Sequence, residues 1–188
     1  MDKGRQLRIA TYASVATAVA LVGMKLAAWL WTGSVSILAS LVDSLMDSAA
    51  SALNLLAVRY SLTPADEEHR FGHGKAEPLA GLAQAAFIAG SAVFLILHAV
   101  ERLRFPRVLQ DVNIGVAVMV VSIVLTALLL LIQRRAIRQT QSTAIRADAL
   151  HYGTDLLTNL TVIIALLLSK YGWARADSAM AILVAAYI

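Results

Sequence analysis

The sequence predicts an all-α protein, a bundle of six membrane-spanning helices. Three observations carry that prediction. Of the 188 residues, 59% are hydrophobic, and the mean hydropathy is +0.72. Only 15% are charged, against about 25% in a soluble domain, and the charges fall in clusters. Between the clusters lie runs of about 20 apolar residues, the length a helix needs to cross a bilayer. Cysteine is absent, which excludes disulfides and thiolate metal sites. The isoelectric point near 9.7 does not imply nucleic acid, because basic residues flanking spans are what topology requires. The first run is too long, and wrongly flanked, for a cleaved signal peptide.

The first span, Ile9–Trp31, follows Lys3, Arg5 and Arg8. It carries Lys25 near its outer end, where a long stem lets an ammonium snorkel to the interface. WTGS then forms a tight turn into the second span, Ser34–Val58. The loop Arg59–Glu77 is the longest and most polar. The third span, Pro78–Val100, opens PLAGLAQAAFIAGSA, and such small residues allow close helix packing, here across a dimer. ERLRFPRVLQD connects it to the fourth span, Val112–Ile132. QRRAIRQTQSTAIR reads as a basic, polar loop before the fifth span, Ala147–Leu168. SKYGWAR leads to the sixth, Ala176–Ile188, which is short for a crossing and has no basic flank. That ending predicts a natural chain that continues into a cytoplasmic part.

Lysine and arginine count the two sides. The N-terminus, the Arg59–Glu77 loop and the QRRAIRQTQSTAIR loop together carry ten, whereas Arg102, Arg104, Arg107, Lys170 and Arg175 make five opposite. The positive-inside bias places the N-terminus in the cytoplasm.

The second span holds an anomaly, Asp43 and Asp47 in LVDSLMD. An Asp at mid-bilayer costs about 2.5–3.5 kcal/mol on insertion scales. Two of them four residues apart share a helix face, and would repel unless a cation or protons joined them. The fifth span repeats the spacing with His151 and Asp155 in HYGTD. Three carboxylates and one imidazole can close a tetrahedral site suited to Zn2+, with ligand distances of about 2.0–2.2 Å. The imidazole favours Zn2+, Cd2+ or Fe2+ over Mg2+ or Mn2+. The competing reading, a water-filled cleft or pairing with basic residues, has only Lys25 to balance three acids.

Other polar residues in the spans have blander readings. Asn54, Gln84 and Asn159 suit helix–helix hydrogen bonds. His98 reads as interfacial. Asp148, one turn before His151, reads as a solvated acid at the cytoplasmic mouth. Asp177 favours a helix N-terminus.

The loop PADEEHRFGHGKAEP offers Asp66, His69 and His73 at spacings of three and four. Two His and one Asp make a three-ligand metal set with an open fourth position. The alternative is a charged loop with Gly72 and Gly74 as turn residues. HRFGH is not the zinc-protease pattern, which needs Glu where Arg70 stands.

GSVSILASLVDSLMDS, PADEEHRFGHGKAEPLAGLAQ and ADALHYGTDLLTN together resemble the cation diffusion facilitator family, most closely its bacterial zinc and ferrous-iron efflux branch. The resemblance covers essentially the whole chain. It implies a six-helix, homodimeric transporter of the bacterial inner membrane, with a transport site at Asp43, Asp47, His151 and Asp155. It implies a second metal site at Asp66, His69 and His73, and a place for Leu150 in an apolar gate. Lys75 matches a lysine that pairs, at the family's dimer junction, with an Asp near the end of the sixth helix. That Asp and the family's cytoplasmic metal-binding domain have no counterpart in this sequence.

The expected function is export of a divalent metal, with protons as the exchanged partner. Metal must displace protons from shared ligands, and a site facing the two sides in turn converts that competition into exchange. His151 is the expected proton carrier near neutral pH. No organic cofactor and no enzymatic activity are expected. The rival is a metal-gated channel or uptake pathway with the same ligands and no proton antiport. A purely structural subunit leaves three buried acids unexplained.

Overall fold

The computed structural model describes residues 3–33, 35–104 and 112–170. Their regular structure is helical throughout: α1 (Lys3–Thr32), α2 (Val35–Ser61), α3 (Ala76–Arg104), α4 (Val112–Thr140) and α5 (Thr143–Lys170). The sixth predicted span with Asp177, and the side chain of His98, lie outside the described residues. Among the described residues, three helices contain segments long and apolar enough to cross a membrane: Lys3–Thr32, Ser40–Ser61 and Ile114–Thr140.

Each helix outruns its apolar stretch, because the Arg, Gln, Ala and Glu residues at the ends are good helix formers. The correction is largest after the fourth span. QRRAIRQTQSTAIR is not a loop: α4 continues to Thr140, α5 begins at Thr143, and only Gln141 and Ser142 lie between. Gln141 adopts a left-handed φ of 57° and donates its N–H to Ile137 O at 2.9 Å, closing α4 in the way a glycine usually does. Ser142 caps α5, its Oγ accepting from Ile145 N at 3.4 Å. The turn after α1 follows expectation. Gly33 takes φ 63°, and its N–H reaches Trp29 O at 2.7 Å.

α1 shows how the helices divide lipid from protein. Its buried residues Gln6, Leu7, Ala10, Thr11, Ser14, Ala18, Leu21 and Lys25 follow the helical repeat, two adjacent pairs and then steps of three or four, and form a single stripe. Leu30 and Trp31 are exposed, as apolar side chains facing lipid are. α1 packs against α2 and α4, α3 against α2 and α5, and α4 against α5. The apolar core gathers at the end of the bundle that carries the N-terminus: Leu7, Ala10, Val58, Ala80, Ala136, Ala144 and Ile145. Four of these seven are alanine, which lets backbones approach closely. Gly81 belongs to the same seam, since a Cβ there would lie 3.7 Å from Thr143 O. Some of the small-residue run of α3 thus packs on α5 within the chain.

Candidate metal centre

Asp47 on α2 and His151 and Asp155 on α5 converge. His151 Nε2 lies 3.0 Å from Asp47 Oδ1 and 3.7 Å from Asp155 Oδ2. The ligand atoms of all three lie within 4.8 Å of one another. His151 is buried, and the two carboxylates are half-buried. The i, i+4 spacing on α5 puts His151 and Asp155 on one face, and the packing of α2 on α5 presents Asp47 to them. Among the described residues, His151 Nδ1 and Asp155 Oδ2 have no hydrogen-bond partner. Two carboxylates around one imidazole nitrogen, in a site largely closed to solvent, call for a proton or a metal cation between them.

Asp43 does not join that cluster. It sits one turn earlier on α2, exposed, so the structure brings together three of the four residues read from the spans. Leu150 is 60% exposed beside His151.

Two polar residues lie where the sequence reading did not place them. Lys25 does not snorkel. It is 7% exposed, and its Nζ donates to Ser44 Oγ at 2.6 Å and to Ser40 O at 3.1 Å on α2. It belongs to the buried stripe of α1, so its side chain enters the α1–α2 seam, and the α2 acceptors satisfy it there.

Asp148 is not solvated. It is 1% exposed. Its carboxylate accepts from Ser14 Oγ at 2.8 Å, Gln133 Nε2 at 2.7 Å and Gln84 Nε2 at 3.2 Å. Gln84 also donates to Ala50 O at 3.2 Å. Ser14 Oγ lies 3.1 Å from Ser51 Oγ, which lies 2.7 Å from Tyr152 Oη. With the single Ser14 proton given to Asp148, Ser51 donates to Ser14 and Tyr152 to Ser51. α1, α3 and α4 therefore meet α5 at one carboxylate, a turn from His151, and α2 joins through Ser51 and Ala50. Gln84 was expected to bond between helices and does. Asn54 is fully buried, but neither end of its amide finds a hydrogen-bond partner among the described residues. The sequence reading missed this junction; the signal that could have found it is the presence of Gln84, Gln133 and Ser14 in three separate helices, each needing a partner away from water.

The loop residues also converge. Asp66 Oδ1 lies 3.2 Å from His69 Nδ1, and Asp66 Oδ2 lies 3.3 Å from His73 Nε2. Asp66 Oδ1 accepts the His69 backbone N–H at 2.5 Å. That bond, with the His69 side chain beside it, holds the Asp66 carboxyl below the usual carboxylate range despite some desolvation. His73 is buried against Tyr60, ring centroids 4.3 Å apart, and its Nδ1 lies 3.2 Å from Pro64 O. When Nδ1–H donates to that carbonyl, the Nε2 lone pair faces Asp66, the orientation a metal ligand needs. Gly72, at φ 78°, makes the turn that returns His73 to His69. Lys75 is exposed at the end of this loop.

Known proteins match this chain over most of its length. The family model for the cation efflux transmembrane domain matches residues 11–188. The cation-efflux pump FieF of Shewanella oneidensis is 53% identical over 182 residues, 97% of this chain and 62% of that protein. The cation-efflux pump FieF of Salmonella arizonae is 53% identical over 185 residues, 98% of this chain and 62% of its own length. The chain thus spans about three-fifths of the length of these relatives. With a family match over nearly every residue and apolar helices to fit it, the chain belongs to the cation efflux transmembrane domain family, membrane transporters rather than enzymes.

Proposed function

We propose that the protein exports a divalent metal ion from the cytoplasm in exchange for protons, with Zn2+ the favoured substrate and Cd2+ or Fe2+ also accepted. The observation that carries this is the convergence of Asp47, His151 and Asp155 from two helices around one buried imidazole nitrogen. The relatives named cation-efflux pumps support the direction of transport. Asp43 supplies the fourth ligand when α2 turns it inward; i and i+4 positions are only about 40° apart around a helix. An imidazole with carboxylates suits a borderline ion better than a hard one. Metal binds the deprotonated ligands, so loading from the cytoplasm expels protons and release outside lets protons return. Asp66, His69 and His73 form a second metal site in the cytoplasmic loop. The transporter works as a homodimer in the bacterial inner membrane with its N-terminus inside. Lys75 stands at the dimer junction and Leu150 at the gate beside the transport site. α1 and α2, joined by two residues, move together, and α2 and α5 rock against the α3 face to alternate access.

The test is reconstitution into vesicles with an internal pH dye. Zn2+ movement accompanied by opposite proton movement, and lost in Asp47→Ala and His151→Ala, is the expected result. Zn2+ flux indifferent to the proton gradient would refute antiport and leave a channel.

A further inference from the structure

Lys25 has no role in the scheme above, and its position is costly. A lysine is almost never fully buried without a carboxylate partner, yet this one is 7% exposed with a hydroxyl and a carbonyl as its anchors, Ser44 Oγ at 2.6 Å and Ser40 O at 3.1 Å. Those anchors lie on α2 among the acids. Asp43 immediately precedes Ser44, and Asp47 follows it by three residues, so both lie within one turn of that anchor along α2. Because the anchors are neutral, the charge is not consumed in a single ion pair. It acts on Asp43, Asp47 and Asp155 together.

We propose that Lys25 is the built-in countercharge of this site, setting how tightly the metal is held. The inference rests on the metal-site reading above. Three ionised carboxylates and a divalent ion leave one negative charge in a low-dielectric interior, where uncompensated charge is expensive. Lys25 cancels it, so the loaded site is neutral. The same ammonium repels the bound dication and so favours its release. An export site needs that weakening, because a site that binds too well does not discharge. The hydroxyl of Ser44 keeps the ammonium at the site rather than at the interface.

A residue with a merely structural role weakens metal binding when it is replaced. Lys25 makes the opposite prediction. Zn2+ or Cd2+ binding is measured by calorimetry on the detergent-solubilised chain, in a His73→Ala background so that the loop does not contribute. A pH series fitted with proton competition gives the affinity of the proton-free site. Lys25→Met and Lys25→Gln bind at least about tenfold more tightly, as expected from removing a unit charge close to a dication at an effective dielectric of about 20. Lys25→Arg stays within about threefold of the parent. Ser44→Ala, which frees the ammonium to withdraw, shifts affinity the same way by a smaller factor. In vesicles the tight-binding variants turn over more slowly. Unchanged or weaker binding in the neutral variants, while Asp47→Ala abolishes binding, overturns the countercharge and leaves the site standing. Binding that survives Asp47→Ala overturns the site, and the countercharge with it. If both neutral variants fail to fold, Ser44→Ala decides: tighter binding supports the proposal, and unchanged or weaker binding refutes it.

Discussion

Replacing Asp148 with alanine removes the acceptor on which donors from α1, α3 and α4 meet α5. Three donors lose it, and they are not equivalent. Ser14 can turn its hydroxyl to Ser51, 3.1 Å away. Gln84 keeps its bond to Ala50 O at 3.2 Å. Gln133 Nε2, whose bond to Asp148 is 2.7 Å, has no other acceptor among the described residues, and Gln133 is fully buried. A buried donor left unsatisfied costs about 1–3 kcal/mol, and the lost charge-assisted bonds from Ser14 and Gln84 add about 1 kcal/mol each after re-pairing. The sum is about 4 kcal/mol. At about 2–4 °C per kcal/mol for a chain of this size, the midpoint falls by about 10 °C. Asp148→Asn keeps one carbonyl oxygen, and the Ser14 hydroxyl can reverse to accept from the new amide, so the loss is about 1–2 kcal/mol. The assay is thermal unfolding of purified protein in a fixed detergent, followed by circular dichroism or by loss of monodisperse elution. A midpoint for Asp148→Ala within about 1 °C of the parent, against the roughly 10 °C expected, would refute the junction as a source of stability.

Tyr152→Phe removes the first hydroxyl of the chain that runs through Ser51 and Ser14 to Asp148 but keeps the ring; it lowers stability by about 1 kcal/mol in the same assay, and a neutral result would mean that the hydroxyl chain is incidental. In the loop, the lowered Asp66 carboxyl gives a pH dependence with a definite sign. Order in residues 62–75 is fully present above the ordinary carboxylate pKa and is lost as pH falls through the depressed value. Hydrogen exchange of that segment between about pH 5 and pH 2 detects this, and Asp66→Asn abolishes the dependence.

The five described helices and both His/Asp clusters are legible in the sequence because each is written in local spacing. Apolar runs of bilayer length mark α1 and α4, and i, i+4 pairs mark Asp47 and the His151–Asp155 face. Lys25 is not legible in this way, because a lysine near the end of an apolar run has two destinations, the interface or a seam. Only the neighbouring helix, with Ser40 and Ser44 turned to it, selects between them. Asp148 escapes for the same reason: its donors come from α1, α3 and α4, and no spacing along α5 announces them. The basic stretch between α4 and α5 misleads because charge resembles loop, whereas Arg and Gln continue a helix beyond the bilayer as readily as Leu builds it within.

The corner at Gln141–Ser142 fixes a lever. α5 runs 28 residues from that corner to Lys170, an arm of about 42 Å at 1.5 Å per residue. His151 stands nine residues along it, about 13 Å from the fulcrum. Swinging the arm by about 10° carries its far end some ~7 Å but moves His151 only about 2 Å. Two ångströms is about the difference between a metal–nitrogen bond and none. On the proposed reading, a ligand mounted near the pivot switches a coordination sphere on and off while the distal end of the same rod sweeps far enough to draw the walls of a passage apart.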